Sequence, residues 1–154
     1  MADKRIAIDD PSRTDVRDLV AAHRRFAASL SPPENVFALD AGGLLDPDVT
    51  LFSCRRGGEL LAIGALRHLD DDHCEVKSMH TAAAARRAGV GRAMLAHLIG
   101  VARERGYRRV SLETGSMAGF APARALYVSA GFTECGAFDG YRPSPYSTFM
   151  SLAL

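Results

Sequence analysis

The residues best suited to chemistry lie between Arg86 and Arg92, in the run R-R-A-G-V-G-R. Two arginines precede Gly89 and Gly91, and apolar residues then recur every three or four positions, which predicts a helix with one buried face. A glycine-rich turn that leads into a helix leaves several backbone N–H groups without partners. These donors, the positive end of the helix and the arginine side chains all favour an anion, so we predict a phosphate site here.

Two common phosphate-binding motifs do not fit this stretch. A P-loop requires Lys followed by Ser or Thr after its last glycine, whereas Arg92 and Ala93 follow Gly91. The dinucleotide-binding fingerprint requires Gly or Ala three residues after its second glycine, where this chain has Met94. Glu113 loosely matches the acidic residue of that fingerprint, but the element predicted before the turn is a hairpin strand. The sequence therefore indicates a phosphate site of another type.

The composition predicts one globular domain over residues 1–154. Apolar residues make up 47% and charged residues 24% of the chain, and the net charge is +1, which gives no strong field for nucleic acid or an anionic membrane. No apolar run approaches the roughly 18 residues of a membrane span, and the charged N-terminus is unlike a signal peptide. The three cysteines lack C-x-x-C spacing, which argues against a disulfide framework or a zinc site and indicates a reducing cytoplasm. We therefore expect no metal, no nucleic acid and no membrane partner.

Periodicity and turn residues predict a mixed α/β order of elements. The predicted strands cover residues 5–8, 49–55, 59–68, 74–81, 107–113, 132–135 and 147–152. The predicted helices cover residues 14–30, 35–39 and 122–130, with another that follows the arginine-glycine run and ends near residue 105. Ser12 or Thr14 is a candidate cap for the first helix, and Gly57-Gly58 is the predicted turn of a hairpin. The strand–helix–strand unit in the second half indicates a parallel pair within a mixed sheet.

The wider pattern around the glycine turn resembles a known family. The R-x-x-G-x-G spacing that begins at Arg86 resembles motif A of the GNAT superfamily of acyl-CoA-dependent N-acyltransferases. The segment E-V-K-S-M, which begins at Glu75 and so eleven residues before Arg86, is similar to the fourth strand of that superfamily. The segment A-R-A-L-Y-V-S-A-G-F, from Ala123 to Phe132, is similar to its final helix and the strand after it. With the matching order of elements, these motifs identify the chain as a member of the superfamily over nearly its whole length.

The chain is also similar to one bacterial branch of this superfamily, whose best-known members are described only as acetyltransferases. That branch carries S-P-P-E-S, then S-L-E-T-G-S-M-A-x-F-x-P-A-R-A-L-Y, then P-x-S-x-F-M, which correspond here to residues 31–35, 111–127 and 145–150. Many members of the superfamily have Gly at the position of Arg87. The arginine leaves the phosphate cradle intact if the backbone there is right-handed, and it adds a charge. Many members also have Asn at the position of Phe120, which cannot repeat the hydrogen bond of that asparagine to pantetheine, so we expect an apolar contact instead.

The resemblance implies a GNAT fold: a mixed seven-stranded sheet, split between strands 4 and 5 and flanked by helices, with acetyl-CoA in the split. The backbone N–H groups from Arg86 to Arg92 would bind the pyrophosphate, and the N–H of Met79 would hold the thioester carbonyl. The residues that the resemblance implies for the cofactor are Met79, His80, Thr81, Arg86, Arg87, Ala88, Gly89, Val90, Gly91, Arg92, Thr114, Phe120, Ala123 and Tyr127.

The same resemblance implies two residues for proton transfer. Tyr127 would donate a proton to the departing thiolate, because a phenol has a pKa of about 10, close to that of a thiol. Glu75 would accept a proton from the acceptor amine, unless it only forms a salt bridge with Lys77 on the same strand face. His80 is a rival base, but strand alternation places it on the opposite face unless a bulge intervenes. The remaining histidines, His23 among them, are expected to be surface or packing residues.

The acceptor side is predicted from position alone. The early helical loop shapes the acceptor pocket in this superfamily, so Glu34 and Asn35 are candidate substrate residues, and Arg142 in the 138–146 segment would suit a carboxylate. We expect transfer of acetyl from acetyl-CoA to a primary amine of a small molecule or amino acid, by direct attack in a ternary complex, since no cysteine stands where a nucleophile is needed. The alternatives are acetylation of a protein lysine or N-terminus, an inactive acyl-CoA-binding sensor and, least favoured, a nucleotide-binding module. Many relatives dimerise, so a homodimer is expected by analogy.

Overall fold

In the computed structural model, which describes residues 3–154, the chain forms one seven-stranded sheet with helices on both faces. The elements in chain order are β1 (Lys4–Ile8), α1 (Thr14–Leu30), β2 (Val49–Arg56), β3 (Glu59–Asp70), β4 (His73–Thr81), α2 (Val90–Glu104), β5 (Arg109–Gly115), α3 (Ala121–Ser129), β6 (Thr133–Glu134) and β7 (Ser147–Ala153). The strand order is β1-β2-β3-β4-β5-β7-β6, and β4 runs parallel to β5 while the other neighbours are antiparallel. The predicted mixed α/β sheet is confirmed.

The sheet is split between β4 and β5. These strands pair only over residues 73–75 of β4 and 109–111 of β5, whereas β5 pairs with β7 along its whole length. Beyond residue 75 the two strands diverge, so backbone that would be paired in a continuous sheet lies along a cleft. The split predicted between the fourth and fifth strands is therefore confirmed.

A bulge in β4 lies at the start of the cleft. Gly64 of β3 stands opposite two residues of β4, Ser78 and Met79, and Ser78 takes a left-handed φ of 56°. The extra residue shifts the side-chain alternation by one position. His80 therefore lies on the same face of β4 as Glu75, against α1. The opposite face expected from simple alternation was wrong, because the bulge intervenes.

Apolar residues of the helices form two cores, one on each face of the sheet. The larger core lies under α2 and α3, and the smaller core lies between α1 and strands β2 and β3. The buried residues of α2 are Val90, Met94, Leu95, Leu98, Ile99 and Ala102, close to the predicted face. Each of these side chains other than alanine contributes on the order of 1.5–3 kcal/mol to folding when fully buried, so α2 is held firmly against the sheet beside the cleft.

Two local predictions, a short second helix and the cap of the first helix, differ from the structure. The helix predicted over residues 35–39 is wrong: Pro33–Asn35 forms a single 3-10 turn, because so short a helix cannot offset the cost of its nucleation. Neither Ser12 nor Thr14 caps α1, whose N-cap residue is Arg13. The Gly57-Gly58 turn is present, with φ values of 56° and 88°. Within residues 3–154, no helix combines the length and apolar composition needed to cross a bilayer.

Candidate active site

The start of α2 presents unpaired backbone donors. Gly89 is the N-cap residue at φ 75° and provides no side-chain cap. Among the hydrogen bonds of residues 3–154, none is donated by the backbone N–H groups of residues 87–92, and the N–H of Ala93 is the first to bond, to the Gly89 oxygen at 3.0 Å. The arginines of this run, at positions 86, 87 and 92, are exposed. The segment thus has the donors and the positive charge that an anion requires.

Arg87 in this turn has a strained backbone. Its φ is 66°, in the left-handed region, so the right-handed conformation considered from the sequence is not the one adopted. A residue with a β-carbon costs roughly 1–2 kcal/mol there, whereas glycine adopts this conformation freely. This strain is the physical reason why glycine would suit this position better than arginine. The arginine provides an extra charge at a cost in stability.

A cavity of about 110 Å³ lies in the cleft between β4 and β5. Six of the residues predicted to bind the cofactor line it: Met79, His80, Thr114, Phe120, Ala123 and Tyr127. Thr81 lies outside it, near the start of α2, with its Oγ1 atom 3.5 Å from where a β-carbon of Gly91 would stand. The structure therefore divides the predicted cofactor residues between this cavity and the neighbourhood of the helix start.

Phe120 forms an apolar wall of this cavity. Its ring packs edge-on against Phe26 of α1, with 5.4 Å between ring centroids. It also lies directly over Gly115, where an added β-carbon would stand 2.1 Å from the ring. Gly115 thus makes room for the aromatic side chain of Phe120.

Tyr127 projects from α3 into the cavity and is only 7% exposed. Burial, and then the nearby negative charge of Glu113, raise the pKa of Tyr127 to about 12. The phenol is therefore protonated at neutral pH and is available as a proton donor.

Glu75 is at the centre of a buried charged network. Its side chain is fully buried, and its Oε2 atom accepts a hydrogen bond from the Tyr141 hydroxyl at 2.5 Å. Lys77 Nζ lies 3.7 Å from the same oxygen, and Arg67 Nη1 lies 3.6 Å from Oε1. Burial raises the pKa of Glu75 above its usual value, although Lys77, Tyr141 and Arg67 act in the opposite direction. Glu75 therefore lies at salt-bridge distance from Lys77, and the pKa of its carboxyl is shifted towards neutrality.

Two histidines meet on the α1 side of the cavity. The Nδ1 atoms of His23 and His80 lie 3.1 Å apart. Burial lowers the pKa of each imidazole to about 4, so both are neutral at pH 7. His23 was expected to be a surface or packing residue, yet it lines the cavity. Its spacing in α1, three residues after the buried Val20 and four before the buried Ala27, was the signal that could have found it.

A second cavity, of about 720 Å³, adjoins the first. It is lined by all three predicted acceptor residues, Glu34, Asn35 and Arg142, and also by Arg67, Asp139 and Tyr141. Asn35, in the early loop, is linked to the 138–146 segment on this cavity, because its Nδ2 atom donates to the Ser144 hydroxyl at 3.0 Å. Asn35, Phe37 and Lys77 line both cavities and so mark their junction.

Two functional candidates were missed or underestimated by the sequence reasoning. Tyr141 was not singled out within the 138–146 segment, where only Arg142 was named, and Glu113 was considered only for the dinucleotide-binding fingerprint, which does not fit. Glu113 lines the smaller cavity, and burial raises the pKa of its carboxyl. Among residues 3–154, no three His, Cys, Asp or Glu side chains come together in a way that could hold a metal ion.

A sheet split after its fourth strand, with an unpaired helix start beside the cleft, is the architecture of an acyl-CoA N-acyltransferase. The chain matches the Acetyltransferase (GNAT) family over residues 14–132. It is 46% identical to the uncharacterized N-acetyltransferase YsnE of Bacillus subtilis (strain 168), over 97% of this chain and 99% of that protein. It is 45% identical to the uncharacterized N-acetyltransferase YedL of Escherichia coli (strain K12), over 97% and 94% of the two chains. The chain therefore belongs to the GNAT family of acetyltransferases.

Solved structures show the same fold. A Klebsiella pneumoniae protein assigned to the acyl-CoA N-acyltransferases shares 27% identity and a TM-score of 0.80, with 98% of this chain and 97% of that chain covered. An acetyltransferase from Bacillus subtilis, solved in complex with CoA, is 15% identical with a TM-score of 0.73 over 99% of both chains. At that identity the second likeness concerns the fold alone.

Proposed function

We propose that the protein transfers an acetyl group from acetyl-CoA to a primary amine of a small molecule or an amino acid, by direct attack within a ternary complex. The observation that carries this proposal is that two cavities meet at the cleft between β4 and β5, and that the unpaired start of α2 lies next to the end of β4. One cavity has the lining predicted for an acyl donor, and the other contains the residues predicted for an acceptor. Membership of an acetyltransferase family supports the reaction type.

The donor side fits acetyl-CoA by its unsatisfied hydrogen-bonding groups. The N–H groups of residues 87–92 are free donors for a pyrophosphate, with three arginine side chains nearby. The Ser78 hydroxyl is buried, lines the smaller cavity and has no hydrogen-bond partner among residues 3–154. The N–H of Met79 would hold the thioester oxygen, while Phe120 and Ala123 would pack against the pantetheine arm. When bound, acetyl-CoA supplies the activated acyl group.

Two proton transfers complete the reaction. Glu75 takes one proton from the acceptor ammonium, which leaves a neutral nitrogen that can attack the thioester. Tyr127 gives its proton to the CoA thiolate and recovers one from the nitrogen as the amide forms. The proton on Glu75 then returns to water, so the sum is one amide, one thiol and one released proton. Cys54 and Cys74 are buried in the core and Cys135 is exposed outside both cavities, which favours direct attack over an acyl-enzyme.

The test compares two carboxyls on the strands that border the cleft, the buried Glu75 and the half-buried Glu113, in an assay of free thiol release with acetyl-CoA and a panel of amines and amino acids. Glu75→Gln is expected to lower kcat by on the order of 10²-fold or more, which is the usual size of a general-base contribution. The matched variant Glu113→Gln should lower kcat less than about tenfold, because Ser147 holds that carboxylate on the donor side. A larger loss from Glu113→Gln would contradict the role of Glu75.

The wild-type protein provides the wider test. Stabilisation by acetyl-CoA without thiol release for any acceptor would favour an inactive binder, and activity restricted to peptides would favour protein acetylation. Stabilisation by ATP but not by acetyl-CoA would overturn the proposed donor.

A further inference from the structure

Glu75, the base of the proposed function, is sealed from both cavities. Its side chain is fully buried, and it does not appear in the lining of either cavity. A bound amine therefore cannot contact this carboxylate without a rearrangement of the packed core. If Glu75 accepts the proton, another group has to carry it across the gap, and the need for that group rests on the proposed function.

Tyr141 occupies that gap. Its side chain lines the larger cavity, and its hydroxyl donates to Glu75 Oε2 at 2.5 Å. Lys77 Nζ donates to the same hydroxyl at 3.0 Å, and Lys77 lines both cavities. The hydroxyl thus lies within hydrogen-bond distance of a residue that marks the junction, where the acyl carbon and the amine must meet.

The Tyr141 ring is held in place by other aromatic rings. Phe37 and Phe138 pack edge-on against it with 5.1 and 5.2 Å between centroids, and Phe149 lies at 5.6 Å. Such pairs fix the ring beyond what burial alone would do. A hydroxyl carries one proton and two lone pairs, so after donating to Glu75 and accepting from Lys77, Tyr141 retains one free acceptor site.

We propose that Tyr141 is a catalytic residue that relays the proton of the acceptor amine to Glu75. The Tyr141 oxygen takes a proton from the ammonium while its own hydroxyl proton passes to Glu75 Oε2. One N–H bond and one O–H bond break, and two O–H bonds form. The products are a neutral amine, a neutral carboxylic acid and an unchanged phenol. After the amide leaves, the same path in reverse returns the proton from Glu75 to water in the larger cavity.

The surrounding charges favour a concerted relay over a tyrosinate intermediate. Burial, and then the negative charge of Glu75, raise the pKa of Tyr141 well above its usual value, so the phenol does not ionise on its own. The charged groups that face Glu75 are Lys77 on its own strand, Arg67 on β3, Asp139 beside Tyr141 and Glu113 on β5. The Lys77 ammonium also disfavours a second positive charge at the junction, which helps the bound amine to lose its proton.

The test is a double-mutant cycle with Tyr141→Phe and Glu75→Gln. Each single variant is expected to lower kcat by about 10²-fold, and the double variant should be no worse than the slower single variant within about threefold, because both residues serve one proton path. The affinity for acetyl-CoA should stay within about threefold of wild type in both single variants. Tyr146→Phe is the matched control, since that tyrosine lies in the same segment, is 43% exposed, and its hydroxyl has no bond among the described residues. It should retain wild-type turnover.

A second measurement separates a relay from a merely structural tyrosine and needs no variant. In mixtures of H2O and D2O, the wild-type rate with limiting amine should fall along a curve, because two protons move in one step. A straight line would overturn the concerted relay even if Tyr141→Phe failed to fold. Turnover of Tyr141→Phe within about threefold of wild type, or additive losses in the cycle, would also overturn the relay while the proposed function stands. If the wild type transfers acetyl to no acceptor, the proposed function and the relay both fall.

Discussion

Removal of the Ser78 hydroxyl should make the protein more stable. Ser78 is 6% exposed, and its Oγ atom has no hydrogen-bond partner among residues 3–154. A buried hydroxyl without a partner costs about 1–3 kcal/mol, so we expect Ser78→Ala to raise the free energy of unfolding by about 1–2 kcal/mol. At roughly 3 °C per kcal/mol for a domain of this size, Tm should rise by about 3–6 °C. Ser78→Gly should be at least as stable as Ser78→Ala, because glycine also relieves the left-handed φ of 56°.

Ser53→Ala is the matched control for this prediction. Ser53 is also buried, at 4% exposed, but its hydroxyl donates to Asp9 Oδ2 at 2.5 Å. The same substitution should therefore lower stability there by about 1–2 kcal/mol. Urea denaturation of both variants without cofactor should show a higher free energy of unfolding for Ser78→Ala and a lower one for Ser53→Ala. A fall in stability for Ser78→Ala would refute the reasoning, because it would mean that the hydroxyl has a partner in the folded protein.

The same variant should bind acetyl-CoA less tightly. Ser78 lines the cavity proposed for the acyl donor, and one neutral hydrogen bond contributes about 0.5–1.5 kcal/mol. The dissociation constant measured by calorimetry should therefore rise about 2- to 12-fold in Ser78→Ala, because every 1.4 kcal/mol is a factor of ten. A protein that gains stability while it loses affinity has a polar group kept for its ligand.

Three further outcomes are expected from the strained turn, the buried phenol and a partly buried ion pair between α1 and β2. Arg87→Gly should raise Tm by roughly 3 °C through relief of about 1 kcal/mol of strain, whereas Arg87→Ala keeps the strain; both lose the same charge and should weaken acetyl-CoA binding alike in calorimetry. Tyr127→Phe should lower kcat by on the order of 10²-fold with little change in acetyl-CoA affinity, and turnover untouched across the pH range would rule out its acid role. Hydrogen bonds from Arg55 lower the pKa of Asp15, so the stabilisation is present above the unfolded pKa near 3.8 and is lost as pH falls through the lower folded pKa. Asp15→Asn should therefore lower stability at pH 7 and flatten the acid loss in denaturation curves.

The donor side could be predicted from the sequence because its signals are local. The helix start, the glycine turn and the strand before it lie within about twenty consecutive residues, and each obeys a turn or periodicity rule. The long amphipathic helix α1 was predicted with its observed bounds, Thr14–Leu30. The hairpin with Gly57 and Gly58 was predicted for the same reason, since both glycines take the positive φ that the turn requires.

The parts that could not be predicted depend on contacts between distant residues. No glycine marks the bulge at Ser78 in the sequence, so the alternation of side chains along the strand placed His80 on the wrong face. Tyr141 meets Glu75 across 66 positions of chain, from a segment without regular structure. The left-handed backbone of Arg87 was hidden because arginine rarely adopts it. Nothing local in the sequence indicates any of these contacts or conformations.

A purely structural role for Glu75 would cost the protein more stability than it returns. A buried ion pair adds little to stability, because removing both charges from water offsets most of their attraction. Glu75 is fully buried, and its Oε1 atom accepts no hydrogen bond from residues 3–154. The charged network therefore lowers the stability of the fold if its role is only structural. Within those residues, the buried side-chain atoms left unsatisfied are this oxygen and the Ser78 hydroxyl, and both belong to the strand that borders the cleft. Polar groups kept at a cost in stability, on the strand where two cavities meet, are what a ligand-binding and catalytic site requires, and a packing role accounts for neither.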